Sequence, residues 1–299
     1  DLLVPFREEY RLQGFIAASS TTGLGGDGGA GWFRVAREGD IWQYSADYTE
    51  VDSDFVAGTG FVQRGNQRRR RGSFAWRPRP RGSAVRQWTL LYSPTYLTDD
   101  DDRLMTRLHF AEISAEFHTG DRLGMFGLED FERLLTPFDI FPHVTIPPGD
   151  YDNSEAQVTA TTSSNRPWAG SVFANLGDFF GGRRRILGGS LTARTGRHLT
   201  IGTEFTHNRV RLPAGDFSTR LAALRVRYAF TTRLFGGILV QSNSLTDEIG
   251  VNLRLNWVYR PGSDFFVVYN RMLRPPNSPF LADAERDTFI LKLTYLWRL

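Results

Sequence analysis

The residues that could carry acid–base chemistry are few in this sequence. Its five histidines are the only side chains that titrate near neutral pH, and cysteine is absent, which excludes a thiolate nucleophile, disulfides and cysteine-bound metals. No two histidines have a metal-ligand spacing such as His-x-x-x-His. Asp216 and His207 could form the acid–histidine pair of a surface hydrolase, but a histidine at a polar rim is the simpler interpretation. We therefore predict no catalytic residue, with a rim-located hydrolase as the weakest alternative.

Two acidic segments could bind a hard cation. Residues 99–102 and 149–153 cluster carboxylate and amide oxygens, which are the ligands that Ca²⁺ takes. Neither segment has the full spacing of an EF-hand loop, and Asp, Asn and Gly are also common turn residues. The turn interpretation is favoured, so we predict no metal site and no cofactor.

Arginine runs provide a candidate site for phosphate, because a guanidinium can bind a phosphate group through two parallel hydrogen bonds. At a membrane boundary these runs could contact lipid phosphates, although a solvated start of a strand explains them equally well. Nucleic-acid binding is disfavoured because no aromatic stacking surface accompanies the runs and the net charge is only +3. The arginines concerned are Arg68, Arg69, Arg70, Arg71, Arg183, Arg184 and Arg185.

A period of two in hydrophobicity predicts the elements that must position these residues. In 248–260 (EIGVNLRLNWVYR) every second residue from Ile249 to Tyr259 is apolar, and 289–299 repeats the pattern. Such alternation over ten or more residues indicates a long β-strand rather than a helix. A tilted strand needs about 9–11 residues to cross a bilayer, whereas strands of soluble domains usually have about five or six.

About sixteen such segments occur along the chain. They predict an all-β fold, a transmembrane antiparallel up-and-down β-barrel of about 16 strands. Tight links alternate with longer links at 21–30, 51–72, 134–153, 209–218 and 273–285, as short periplasmic turns alternate with long extracellular loops in bacterial barrels. We assign 11–299 to the barrel and 1–10 to a periplasmic lead. Because the chain opens at Asp1 rather than Met, we interpret it as a mature or partial chain.

Tryptophan positions favour a membrane belt, because indole rings prefer the membrane–water boundary. Six of the seven tryptophans fall at the short-link ends of their strands, a pattern that a soluble sandwich would not explain. The predicted aromatic girdle consists of Trp42, Trp76, Trp88, Trp168, Trp257 and Trp297.

The polar side of each strand is expected to face the lumen. Acidic residues then come from earlier strands and basic residues from later ones, which would set a transverse field across a pore. A plugged lumen with internally paired charges is the alternative, although barrels of about 16 strands leave a channel unless it is filled. The predicted lumen-lining residues are Glu112, Glu116, Glu204, Arg225, Arg227, Asn252, Arg254 and Lys292.

Four stretches resemble a known family: 54–64, 212–235, 252–270 and 291–299, of which RPGSDFFVVYN is the most specific. The family is a bacterial outer-membrane β-barrel domain of unknown function, usually found C-terminal to a family-nine-type carbohydrate-binding module. The resemblance implies an outer-membrane barrel and lends no activity. Since family members generally carry the module and further barrel sequence upstream, it also implies that the whole protein has more than sixteen strands. Leu299 departs from the terminal Phe usual in outer-membrane proteins.

Two functions of different classes remain open. The first is a non-enzymatic, porin-like pore or uptake channel of the bacterial outer membrane for small polar solutes, including sugars if an associated module binds carbohydrate. The second is a non-conducting structural or anchoring barrel, which an inserting loop would favour; the loop 134–153, with four prolines, is the candidate plug. The expected partners are outer-membrane lipid and lipopolysaccharide, the barrel assembly machinery and small polar solutes, without nucleic acid.

Overall fold

The described chain is built from β-strands. The computed structural model describes residues 2–6, 8–21, 26–58, 65–273 and 286–297. No helix in these ranges is long and apolar enough to cross a membrane. The strands are β1 (Leu2–Phe6), β2 (Tyr10–Thr21), β3 (Gly26–Glu38), β4 (Trp42–Val51), β5 (Gln67–Trp76), β6 (Val85–Thr98), β7 (Leu104–Phe117), β8 (Arg122–Leu134), β9 (Phe138–Phe141), β10 (Val144–Ile146), β11 (Gly149–Thr161), β12 (Trp168–Phe179), β13 (Gly182–Thr195), β14 (Leu199–Leu212), β15 (Gly215–Ala229), β16 (Leu234–Asn243), β17 (Glu248–Arg260), β18 (Ser263–Leu273) and β19 (Arg286–Thr294).

Each long strand pairs antiparallel with the next one along the chain. The series runs from β1 to β8, continues at β11 and ends at β19, so that seventeen strands form one sheet. Sixteen of these described strands have 9 to 15 residues, and they correspond one to one to the sixteen predicted segments. The predicted all-β, antiparallel up-and-down barrel wall is confirmed. β1 lies within the predicted lead and pairs with β2.

Alternation places apolar side chains on the outer face of this wall. In β4 the residues Trp42, Tyr44 and Tyr48 are exposed, while Gln43, Ser45 and Asp47 are half-buried. The aliphatic side chains of Val172 and Leu187 are 63% and 54% exposed. Because cross-strand partners lie on the same face of a sheet, the register carries this apolar face from one strand to the next.

Link lengths follow the predicted alternation only in part. The long-link rim contains the links 52–66 and 135–148, whereas links on the opposite, short-link rim include 39–41 and 261–262. The long link predicted at 209–218 is wrong, because β14 and β15 are joined by a two-residue turn. The polar residues of that segment belong to strands that extend beyond the apolar band. Most of the link predicted at 273–285 lies outside the described residues, as does Leu299.

The segment between β8 and β11 contains a hairpin, β9–β10, that folds over the long-link rim. Ile146 packs with Val210 and Leu212 of β14 in one buried cluster. The ring of Phe141 stacks on that of Phe217 in β15 with 4.5 Å between centroids. These β14 and β15 residues alternate with exposed polar residues and therefore lie on the inner face of the wall. The predicted plug loop thus contains an ordered hairpin that packs inside the rim.

Candidate functional site

The inner face of the wall is the candidate site, because the polar side chains of successive strands meet there. All eight predicted lumen residues lie on this face, in alternation with the exposed apolar positions of their strands. Glu112 precedes the exposed Ile113, and Arg254 stands between the exposed Leu253 and Leu255. A period of two dictates this placement. Alternation does not determine which of these charges form ion pairs, and the pairing differs between the earlier and the later strands.

The acidic side of the inner face is neutralised locally. The carboxylate of Glu112 accepts a hydrogen bond from the guanidinium of Arg122 at 2.5 Å, and Glu116 forms an ion pair with Arg86. Opposite charges in contact cancel each other's field at longer range. Glu112 and Glu116 therefore contribute little net charge to the lumen, and the transverse field expected from these two carboxylates is weakened.

The basic side keeps its charge. Arg225 and Arg227 line a cavity of about 360 Å³ together with Glu204. Within the described ranges, none of these three side chains forms an ion pair. Arg254 and Lys292 continue the basic side on β17 and β19. Unpaired cations along one arc of a low-dielectric wall produce a positive potential in the space that they face.

The first arginine run divides between the two faces of the wall. Arg70 pairs in register with the outward-facing Tyr48, whose ring lies 5.9 Å from its guanidinium. Period two therefore sends Arg68 and Arg70 outward and Arg69 and Arg71 inward. In contrast to the prediction, only the first and third arginines of this run can face lipid.

The second run contains a buried ion pair. Arg183 and Arg185 are exposed on the outer face, whereas the guanidinium of Arg184 contacts the carboxylate of Glu155 at 2.5 Å. The Glu155 side chain is only 4% exposed. Arg184 also lies 4.1 Å from the ring centroid of Phe179. The predicted lipid contact is therefore corrected for Arg184, whose partner is an inner-face carboxylate.

Neither acidic segment is arranged as a cation site. The carboxylate of Asp99 accepts hydrogen bonds from the backbone N–H groups of Asp101 and Arg103 and from the Arg103 side chain, so it caps its own turn. The segment 149–153 lies in β11 rather than in a turn, and its two aspartates pair with arginines of β7 and β8. Among the residues that the structure describes, no group of three or more His, Asp or Glu side chains could hold a metal ion.

The structure separates the residues of the candidate hydrolase pair. His207 faces Arg220 across β14 and β15, whereas Asp216 faces Arg211 and forms an ion pair with it at 3.9 Å. The two positions are four residue steps apart along the strands, which is about 13 Å. Asp216 and His207 therefore cannot share a proton, and no hydrolytic site is formed by them.

The girdle tryptophans are exposed and lie near the short-link rim. Their exposed fractions range from 36% to 71%. Trp42 and Trp76 are register partners, and their rings stack with 5.4 Å between centroids. Trp32 differs, because it lies on the inner face opposite Phe15. A belt of exposed indole rings along one rim is the arrangement expected at a membrane boundary.

Asp121 joins two links of the short-link rim. Its carboxylate accepts hydrogen bonds from the backbone N–H of Ser163 at 2.9 Å and from the guanidinium of Arg166 at 2.7 Å. The Ser163 bond, followed by that from Thr119, holds the pKa of Asp121 below its usual value of 3.8. With a depressed pKa, the stabilisation is present above the unfolded-state pKa and is lost as the pH falls through the folded-state pKa.

We therefore expect the hydrogen-exchange protection of the link 162–167 to fall only below about pH 4. In Asp121→Asn, which has no carboxylate to protonate, protection should already be low at pH 7 and should show no acid step. Mass-spectrometric exchange corrected for intrinsic rates measures this. Unchanged wild-type protection down to about pH 2 would contradict the coupling between the protonation of Asp121 and the stability of the link 162–167.

Comparison with known proteins finds similarity to solved structures only. No family model matches the chain, and no curated protein matches it. A bacterial polysaccharide outer membrane secretin has a TM-score of 0.44 at 12% identity, covering 97% of this chain and 98% of its own. A variant of the ferric enterobactin receptor PfeA from Pseudomonas aeruginosa has a TM-score of 0.45 at 11% identity, covering 88% of this chain and 53% of its own. The same receptor in complex with BCV-L6 has a TM-score of 0.37. These values assign no family.

Proposed function

We propose that the chain is a bacterial outer-membrane β-barrel that forms a pore for small polar solutes, prefers anions and catalyses no reaction. The membrane placement is supported by the outer face. Soluble proteins rarely expose apolar patches larger than a few hundred Å², and each Å² left in water costs about 25 cal/mol. Described strands of 9 to 15 residues also suit a tilted bilayer crossing.

The observation that carries the pore proposal is the basic arc of the inner face, by which we mean Arg225, Arg227, Arg254 and Lys292. Arg225, Arg227 and Arg254 face a polar interior, and no carboxylate pairs with them among the described residues. Charged side chains that only support a packed lumen are expected to pair with one another, as Arg184 and Glu155 do. Cations left open to a channel instead attract anions and raise their local concentration.

Sugars are the second proposed class of solute. The support is the resemblance to barrels that follow a carbohydrate-binding module. A neutral sugar would not respond to the basic arc, whereas an anionic one would. Swelling of liposomes that contain the protein, in neutral and in carboxylated sugars of equal size, separates steric passage from charge selection.

An anchoring barrel that conducts nothing is the alternative function. The β9–β10 hairpin favours it, because the hairpin packs on inner-face residues of β14 and β15 and occupies part of the lumen at the long-link rim. In that case the hairpin would act as a plug rather than as a constriction.

Single-channel recording in planar bilayers tests the proposal. Replacing Arg225, Arg227 and Arg254 with Gln should lower the anion-to-cation permeability ratio by roughly threefold or more at ~0.1 M salt, where the Debye length is about 10 Å. The effect should shrink at 1 M salt, where that length is about 3 Å. The matched control is Glu112→Gln, which frees Arg122 from its partner and should shift selectivity further toward anions.

The hairpin separates the two functions. Replacing 138–146 with a short Gly-Ser linker should raise the conductance of a pore that the hairpin constricts. A wild type that conducts nothing, together with a hairpin variant that does conduct, would support the anchoring barrel. If neither protein conducts, the pore proposal fails.

A further inference from the structure

Five arginines form a cluster on the outer face at the long-link rim. They alternate with inner-face residues of three adjacent strands, β13, β14 and β15, and all five are exposed. Of these five, the sequence analysis identified only Arg183 and Arg185 as candidate phosphate contacts, because the other three do not form a run in the chain. We name this set the rim arginine cluster: Arg183, Arg185, Arg209, Arg211 and Arg220.

Like charges stand directly opposite each other in this cluster. Arg183 is the register partner of Arg211, and Arg185 is that of Arg209. Directly opposed residues of antiparallel strands have their Cα atoms about 4.5–5.5 Å apart, and like charges at that separation destabilise the pair. The cluster is therefore an arrangement that costs stability unless an anion binds between the guanidinium groups.

The protein supplies little negative charge to this cluster. Within the described ranges the only ion pair is that of Arg211 with Asp216, at 3.9 Å. Asp178 is the register partner of Arg183, but its carboxylate accepts a hydrogen bond from Ser154 at 2.9 Å and forms no ion pair. Four of the five guanidinium groups are thus free to bind an external anion.

The outward arginines of β5 provide a contrast on the same rim. Arg68 is held by Glu50 at 2.9 Å and by Asp102 at 3.3 Å, and Arg70 lies 3.7 Å from Asp102. Exposed arginines elsewhere on this rim are therefore provided with carboxylates. The surplus of positive charge on β13 to β15 is a local property of the rim arginine cluster.

The surface below the cluster is mainly apolar. Continuing down the outer face, Leu187 and Leu191 follow Arg185 on β13. On β14 the half-buried His207 follows Arg209 and Phe205 comes next; Leu187, Leu191 and Phe205 are 46% to 54% exposed. Paired guanidinium groups directly above an apolar strip match an amphiphile whose head carries phosphate and whose tails are hydrocarbon. A free phosphate ion would make no use of the strip.

We propose that the rim arginine cluster is a binding site for a glycolipid that carries two phosphate groups, as the lipid A part of lipopolysaccharide does. Arg185 and Arg209 bind one phosphate between them, Arg183 binds the second, and the acyl chains lie along Leu187 and Phe205. The site rests on the proposed placement in an outer membrane, and it is independent of whether the lumen conducts.

Lipid retention by the detergent-purified protein tests the site. Native mass spectrometry with added lipid A should show bound lipid on the wild type, and at least tenfold weaker binding for the double variant Arg185→Gln/Arg209→Gln. The matched control, Arg225→Gln/Arg227→Gln, removes two inner-face arginines of β15 and should retain lipid A as the wild type does.

Thermal unfolding provides a second test, because the effect of the double variant on stability should change sign when lipid A is added. A merely structural role of the arginines would give the same effect with and without the lipid. Without lipid A the double variant should be as stable as the wild type or more so, because a like-charge pair is relieved. With lipid A the wild type should gain stability and the variant should not. Lipid A without its phosphates, and inorganic phosphate alone, should each leave the wild type unchanged.

Several outcomes would overturn the site. Equal retention of dephosphorylated lipid A would show that acyl chains alone decide binding. Equal stabilisation by inorganic phosphate would assign the cluster to the free anion, and equal retention by the double variant would place the lipid elsewhere. A wild type that binds lipid A but conducts no ions would support this site and contradict only the pore proposal. A wild type that conducts ions but does not bind lipid A would support the pore and contradict this site.

Discussion

Replacing Arg184 with Met is expected to lower the free energy of unfolding by roughly 3 kcal/mol. The change leaves the carboxylate of Glu155, which is 4% exposed, without its charged partner. Removal of one member of a buried ion pair costs about 3–5 kcal/mol, because the remaining charge stays out of water. The lower end applies here, since the side chain of Arg184 is itself 25% exposed. Urea unfolding in phosphatidylcholine bilayers measures the difference.

Two control variants locate the effect. Adding Glu155→Gln to Arg184→Met removes the stranded charge and should recover more than half of the lost stability. Arg185→Met, one residue along the strand, lies on the outer face without an ion pair in the described structure and should change stability by at most about 0.5 kcal/mol. Similar losses for Arg184→Met and Arg185→Met would contradict the division of this arginine run between two faces.

A second large loss, about 2–4 kcal/mol, is expected for Leu253→Arg in a bilayer. Leu253 is exposed on the outer face of β17, four residues from Trp257 of the aromatic belt. At about 3.3 Å per residue in a tilted strand, it lies roughly 10 Å from that belt, close to the middle of the hydrocarbon. A guanidinium there must leave water or deform the bilayer, and reversible folding into lipid vesicles gives the free energy.

Asn252→Arg is the matched control. Asn252 precedes Leu253, faces inward and bonds to the side chain of Asn270 on β18. The new guanidinium would remain in the polar interior, so only the loss of that hydrogen bond, about 1 kcal/mol, is expected. A larger loss for Asn252→Arg than for Leu253→Arg would reverse the two faces of the wall and, with them, every inner-face assignment made above.

The sixteen long strands and the inward side of the predicted lumen residues are local properties that the amino-acid order predicted, whereas the two arginine runs were not divided between the faces. Side chains of a strand alternate strictly, so an apolar residue at every second position, as in β17, specifies both the strand and its outward side. The Trp belt and the inward placement of Arg225 and Arg254 follow from the same rule.

The extents of the links could not be predicted in the same way. The outward-facing residues of 209–218 are polar because β14 and β15 extend above the apolar band, and polarity alone does not distinguish such an extension from a loop. The β9–β10 hairpin was not expected as strands, since a three- or four-residue strand has no usable period. Its position depends on Val210 and Phe217, which come from more than sixty residues further along the chain.

The partner of each charge was decided only by the tertiary structure. Glu112 and Arg225 are both inward-facing polar residues in the sequence, yet Glu112 is neutralised by Arg122 whereas Arg225 has no ion pair among the described residues. Arg184 pairs with Glu155 of another strand, and Arg185 stands opposite a like charge, Arg209. Cross-strand register determines these contacts, because it brings together residues that are distant in sequence. The sequence by itself therefore determined which side of the wall each charge occupies, while the tertiary structure decided which charges remain free to act on a solute or a lipid.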